Sequence, residues 1–155
     1  MDNNDDKEMI FQHTVCYTRE ELKVIVNTLK PHEFDENVNS LNGIPMFKNM
    51  SDDSLPGEIF RPYPKNNRIE ASNLGRIKID NKVVEQHDCY DGNKGYLYVK
   101  TTIVDYPIVY RFVAETWCQC PNVFLEGWQV HHISNNGYDN RPSNLMWLRK
   151  RWHGF

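Results

Sequence analysis

The chain has 155 residues, 39% of them apolar and 12% aromatic, and a formal net charge of −3. That length fits one domain, or one domain with a short extension, and the apolar content excludes a wholly disordered chain. No apolar run reaches the ~18 residues of a membrane-spanning helix, and the acidic start MDNNDDKEMIF lacks the basic-then-apolar order of a secretion signal. The expectation is a cytoplasmic protein.

In chain order, the first signal is Thr18-Arg19-Glu20-Glu21, which fits a capping box ahead of Leu22, Ile25, Val26 and Leu29 at helical spacing. The pattern predicts a helix over about 18–30, stopped by Pro31. Residues 31–57 are rich in Asn, Asp, Pro and Gly and read as an irregular connection, with a boundary at Pro56-Gly57. Charge changes sign across that boundary. Residues 1–57 carry 5 Lys and Arg against 11 Asp and Glu, whereas 58–155 carry 13 against 10. Only the second part has the sign that suits a polyanion, since phosphate contacts dominate nucleic-acid affinity. The organisation expected is an acidic extension, 1–57, followed by a β-rich module and a C-terminal core, 58–155.

Beyond residue 57 short β-rich runs take over. Arg68–Ala71 and Arg76–Ile79 flank the turn Ser72-Asn73-Leu74-Gly75, which predicts a hairpin. Residues 96–103 (YLYVKTTI) read as a strand after the turn Asp91-Gly92-Asn93-Lys94-Gly95, and 110–117 (YRFVAETW) as a helix with Phe112, Val113 and Trp117 facing inward. Trp117, Trp128 and Trp147 read as core anchors rather than base-stacking platforms. The cysteines Cys16, Cys89, Cys118 and Cys120 form no C-x₂-C knuckle. Reduced thiols are expected, with a zinc site joining His87 or Cys89 to Cys118 and Cys120 as the alternative.

The C-terminal block carries the chemistry. Residues 128–133 (WQVHHI) read as a strand, 134–143 (SNNGYDNRPS) as a loop dense in turn formers, and 144–148 (NLMWL) as a second strand. A short basic helix is expected from Arg149 through His153, completing a ββα unit over 128–155. Phosphodiester hydrolysis needs a base for water, a cation for the developing charge and a scaffold holding both. His131 and His132 are adjacent in a strand, so they point to opposite faces, and one can serve a metal while the other serves water. His153 can reach the same cation from the helix. Asn144 has an amide suited to holding either the base imidazole or the loop backbone.

The block VHHISNNGYDNRPSNLMWL resembles the HNH, or ββα-metal, endonuclease signature. Upstream, EIFRPYPKNNRIEASNLGRIKI, GYLYVKTTI and VYRFVAETW resemble the module that precedes HNH cores in phage and intron-encoded endonucleases. The resemblance covers about residues 58–153 and implies an α+β fold. It implies His132 as general base, His131 and His153 as ligands of one divalent cation, and Asn144 as the residue that holds the base. Mg²⁺ or Mn²⁺ is implied as cofactor, and two imidazole ligands also suit Zn²⁺ or Ni²⁺. Arg76, Arg111, Arg141, Arg149, Lys150 and Arg151 are candidate phosphate contacts, and double-stranded DNA is the implied partner. No membrane partner is expected, and a homodimer is compatible with the pattern. A C-terminal helix-turn-helix of the homing type is not expected, which disfavours a long recognition site. The alternatives are a non-catalytic nucleic-acid-binding protein on a degenerate ββα fold, and a toxin or defence nuclease acting on RNA. Homing and restriction roles both stay open.

Overall fold

The computed structural model describes residues 40–90, 95–118 and 128–149, and also two short N-terminal strands, β1 (Lys7–Met9) and β2 (Cys16–Thr18). Strands and a helix mix among them, as the expected α+β class requires. The helix expected over 18–30 lies outside the described residues from position 19 onward. No described helix is long and apolar enough to cross a membrane.

A small hairpin, β3 (Ser40–Leu41) and β4 (Ile44–Pro45), opens the continuous part and leads into a 3-10 turn at Met46–Lys48. Asn42 and Gly43 have φ of 55° and 77°, the paired left-handed geometry of a two-residue hairpin loop. Four antiparallel strands then form a meander: β5 (Phe60–Pro62), β6 (Ile69–Ser72), β7 (Ile77–Ile79) and β8 (Lys82–Val83). The expected hairpin is its centre. Its turn closes because Ser72 Oγ accepts the N–H groups of Leu74 and Arg76, and Gly75 supplies a φ of 90°.

β9 (Gln86–Tyr90) pairs with β10 (Gly95–Val99), so the strand expected over 96–103 stops four residues early. Val99 donates its N–H to the Pro107 carbonyl, and Thr101 Oγ1 accepts the N–H of Ile103, which turns the chain toward the helix. That helix, α1 (Val109–Trp117), appears where it was expected. Val109, Phe112, Val113, Ala114 and Trp117 are buried at helical spacing, and Trp117 Nε1 donates to the Ala71 carbonyl. The core gathers Ile69, Ala71 and Ile77 of the meander, Leu97 and Val99 of β10, this helix face, and Leu145 and Trp147 further on.

The other side of the meander is closed by chain rather than by a helix. Strand alternation sends Ile77 toward the core and Arg76 to the opposite face, where its side chain is 1% exposed. Its guanidinium pairs with the buried Glu58 carboxylate and donates to the carbonyls of Asn49, Ser51 and Asp53. Residues 49–53 are therefore strapped to the sheet across the position 56–57. This corrects the expectation that Arg76 contacts phosphate, because its donors are spent inside the fold. Burial raises the Glu58 pKa, but hydrogen bonds from Arg76, Leu55 N–H and Ser72, with the Arg76 charge, more than reverse this and leave it below the usual value.

Candidate active site

β11 (Trp128–His132) and β12 (Leu145–Arg149) form an antiparallel pair in which His131 faces Met146 and His132 faces Leu145 across the ladder. Leu145, Met146, Trp147 and Leu148 are all buried, so β12 is covered on both faces and anchors the pair. The first two elements of the expected ββα unit are thus in place. Arg149 ends β12 rather than starting a helix, and residues 150–155, with His153, Lys150 and Arg151, lie outside the described residues. Asn144 closes a 3-10 turn, Pro142–Asn144, one residue before the strand.

The loop between the strands is held by its own side chains. Asn144 Oδ1 accepts the Ser134 N–H at 3.0 Å and Asn144 Nδ2 donates to the Asp139 carbonyl at 2.9 Å, so one buried amide staples both arms. Asn136 Oδ1 accepts the Tyr138 N–H, and Asp139 takes two hydrogen bonds from the Arg141 guanidinium. Of the two partners open to Asn144, imidazole or backbone, the structure gives it the backbone. The imidazole belongs to Asn140, whose Oδ1 lies 2.7 Å from His132 Nε2. Asn140 does not stand out in the sequence, since nothing in the spacing separates it from the loop's other asparagines.

The loop also leans on the upstream module. Tyr138 stacks on Phe47 and donates from its hydroxyl to Asp88 of β9 at 2.8 Å. Gly95 and Gly137 meet so closely that a Cβ at Gly137 would run into the Gly95 carbonyl, and one at Gly95 into the Tyr138 ring. The edge of Tyr110 on α1 packs against the His132 ring, with centroids 5.3 Å apart, and Tyr96 of β10 packs against Tyr110 in turn. The ring of His132 is therefore fixed from two directions, by an amide oxygen and by an aromatic edge.

His131 is buried at 9% exposure and His132 is half-buried, on opposite sides of one strand. A neutral imidazole in a rigid strand is suitable ligand chemistry for a divalent transition metal. Among the described residues no three His, Cys, Asp or Glu side chains gather into a metal site. The expected ligand pair draws on His131 and on His153, which is not described. Burial pushes the Cys118 thiol up to about 12, and its Sγ lies against the Pro142 carbonyl, so it stays protonated. Of the candidate phosphate contacts, Arg111 is exposed on α1 within 3.5 Å of Glu115, and Arg141 is partly exposed beside Asp139.

Residues 125–154 match the model of the family described as HNH endonuclease. The C-terminal segment is similar to that family. No curated protein and no solved structure matches the chain. The HNH match spans β11, the stapled loop and β12, the elements that carry His131, His132, Asn140 and Asn144. It associates the segment with nuclease activity in general, and with binding of nucleic acid.

Proposed function

We propose that the protein is a metal-dependent endonuclease that hydrolyses DNA phosphodiester bonds, with His132 as the general base. The observation that carries this reading is the His132 Nε2 to Asn140 Oδ1 hydrogen bond. An amide oxygen accepts only, so the imidazole keeps its proton on Nε2 and its lone pair on Nδ1. A ring held in that tautomer can take a proton from water at Nδ1 while Asn140 and Tyr110 stop it from turning. Asn144 acts at one remove, keeping the loop that bears Asn140 at a fixed distance from β11.

His131 and His153 would hold one divalent cation, Mg²⁺ or Mn²⁺ or, given imidazole ligands, Zn²⁺ or Ni²⁺. When bound, the ion would neutralise charge at the scissile phosphate and at the leaving 3′ oxygen. Arg111, Arg141, Arg149, Lys150 and Arg151 would contribute backbone contacts that position the duplex without reading its sequence. The excess of basic residues after position 57 supports a polyanionic substrate.

The test is cleavage of supercoiled plasmid by the full chain with each metal, alongside EDTA and matched RNA. The reading predicts metal-dependent nicking or linearisation that EDTA abolishes. Retarded DNA with no cleavage under any metal would make the protein a binder instead. Cleavage confined to RNA would move the substrate class.

A further inference from the structure

The β9–β10 hairpin has one face in the core and one face that the core does not use. Leu97 and Val99 of β10 join the core, so alternation sends Tyr96 and Tyr98 to the other face. Their partners across the ladder are Cys89 and His87. The contacts agree: the Cys89 thiol donates to the Tyr96 hydroxyl, and the His87 ring lies 5.6 Å from that of Tyr98. Asp88, the one acid within β9, pairs with Leu97 and turns the opposite way, where its carboxylate accepts from the Tyr138 hydroxyl. The face is thus aromatic and carries no carboxylate between Gln86 and Tyr90.

This face runs on to the candidate base. Tyr98 bridges to Ile108 on the far side of β10, and the same register brings Tyr110 beside Tyr96, with ring centroids 6.1 Å apart. Tyr110 in turn meets the His132 ring at 5.3 Å. His87, Tyr96 and Tyr98 are half-buried, so part of each ring is open. Lys100, just past β10, and Arg111, just past Tyr110, are exposed cations that suit the phosphates of a strand lying along these rings.

Open aromatic rings on a strand face take nucleic-acid bases by stacking, because every base has a π-face. In a duplex those faces are covered by neighbours about 3.4 Å away on the same strand. Tyr96 and Tyr98 are two residues apart, about 6.6 Å along the strand. Consecutive bases can therefore reach both rings only where the nucleic acid is unpaired and unstacked.

We propose that Tyr96 and Tyr98 are a stacking platform for two unpaired bases of the DNA strand beside the scissile phosphate. This rests on the reading of the His132 site as a DNA-cleaving centre. It narrows the substrate class to DNA that is open at the cut, as at a gap, with the paired flanks held through their phosphates.

The test is binding, measured by fluorescence anisotropy on the full chain in EDTA so that no cleavage is needed. Three fluorescein-labelled DNAs of one sequence are compared: fully paired, with a short single-stranded gap, and with the gap nucleotides made abasic. The abasic gap keeps the phosphates and the flexibility but loses the bases. The gapped DNA is expected to bind at least about fivefold tighter than either of the others, the value of one stacked base. Tyr98→Leu, which keeps an apolar side chain beside His87, should weaken gapped DNA about five- to 150-fold and leave paired DNA unchanged. Tyr98→Phe should bind as wild type.

Equal affinity for gapped and abasic DNA would overturn the proposal, as would a folded Tyr98→Leu with wild-type preference for the gap. If Tyr98→Leu does not fold, photocrosslinking of wild type to a gap containing 5-bromouracil decides. A crosslink at Tyr96 or Tyr98 supports the platform, and one confined to other residues overturns it. Binding that ignores the bases removes this proposal alone, whereas no binding to any of the three DNAs would remove the DNA reading with it.

Discussion

Two asparagine-bearing turns in this chain use similar chemistry and end in opposite places. The meander turn, Ser72 to Arg76, is closed by the Ser72 hydroxyl and tied to Gly57 and Ile59 by the Asn73 amide, and it directs its arginine into a buried pair with Glu58. The loop from Ser134 to Asn144 is closed by side-chain amides and a carboxylate, yet it leaves His132 half-buried at the strand end. In the first turn the charged group is consumed by internal partners, and its role is structural. In the second most of the loop's side-chain bonds stay within the loop, and Asn140 reaches the histidine ring. A single basic residue in the sequence is thus no guide to function until the partners of its charge are known.

Breaking the structural half should have the largest effect on stability. Arg76→Met leaves Glu58 buried without its cation, which should cost about 3–5 kcal/mol in chemical denaturation. An Arg76→Met protein as stable as wild type, yet weaker on DNA, would restore the phosphate role. In the C-terminal loop, Gly137→Ala forces a methyl group against the Gly95 carbonyl. It should destabilise by about 1–3 kcal/mol and slow cleavage by displacing Asn140, whereas unchanged cleavage would show that the docking of the loop on β10 is dispensable.

The same contrast has a pH signature. Because the Glu58 pKa is lowered on folding, its contribution to stability is fully present above the ordinary carboxylate range and is lost as pH falls through its folded value. Acid titration of the melting temperature should therefore show a drop below that range, and Glu58→Gln should flatten it. The smallest effect belongs to Arg68 and Asp80, an exposed pair at the open end of the central hairpin. Arg68→Ala should leave the melting temperature unchanged within error, as for most surface ion pairs.

Much of this was legible before any coordinates. The meander hairpin and α1 follow from alternation around Ser72–Gly75 and from the helical spacing of Phe112, Val113 and Trp117, since local pattern and burial agree there. β9 was not legible, because Gln86–Tyr90 is a polar run that becomes a strand only by pairing with β10. The Asn42-Gly43 hairpin was passed over because its strands are two residues long, although the dipeptide is a strong turn signal. Arg76 was misread because a sequence shows its charge but not Glu58 eighteen residues away. In the site, His131, His132 and Asn144 stand out by type and spacing, whereas the contacts of Asn140 and Tyr110 with His132 arise only when separate elements pack together.

The central claim is that His132 takes the proton from water. Its most direct measurement is the single-turnover cleavage rate of His132→Ala on plasmid DNA at saturating metal, with folding checked by circular dichroism. Loss of a general base predicts a fall of about 10²–10⁴-fold without loss of structure or of DNA binding. A folded His132→Ala that cuts at the wild-type rate would contradict the account.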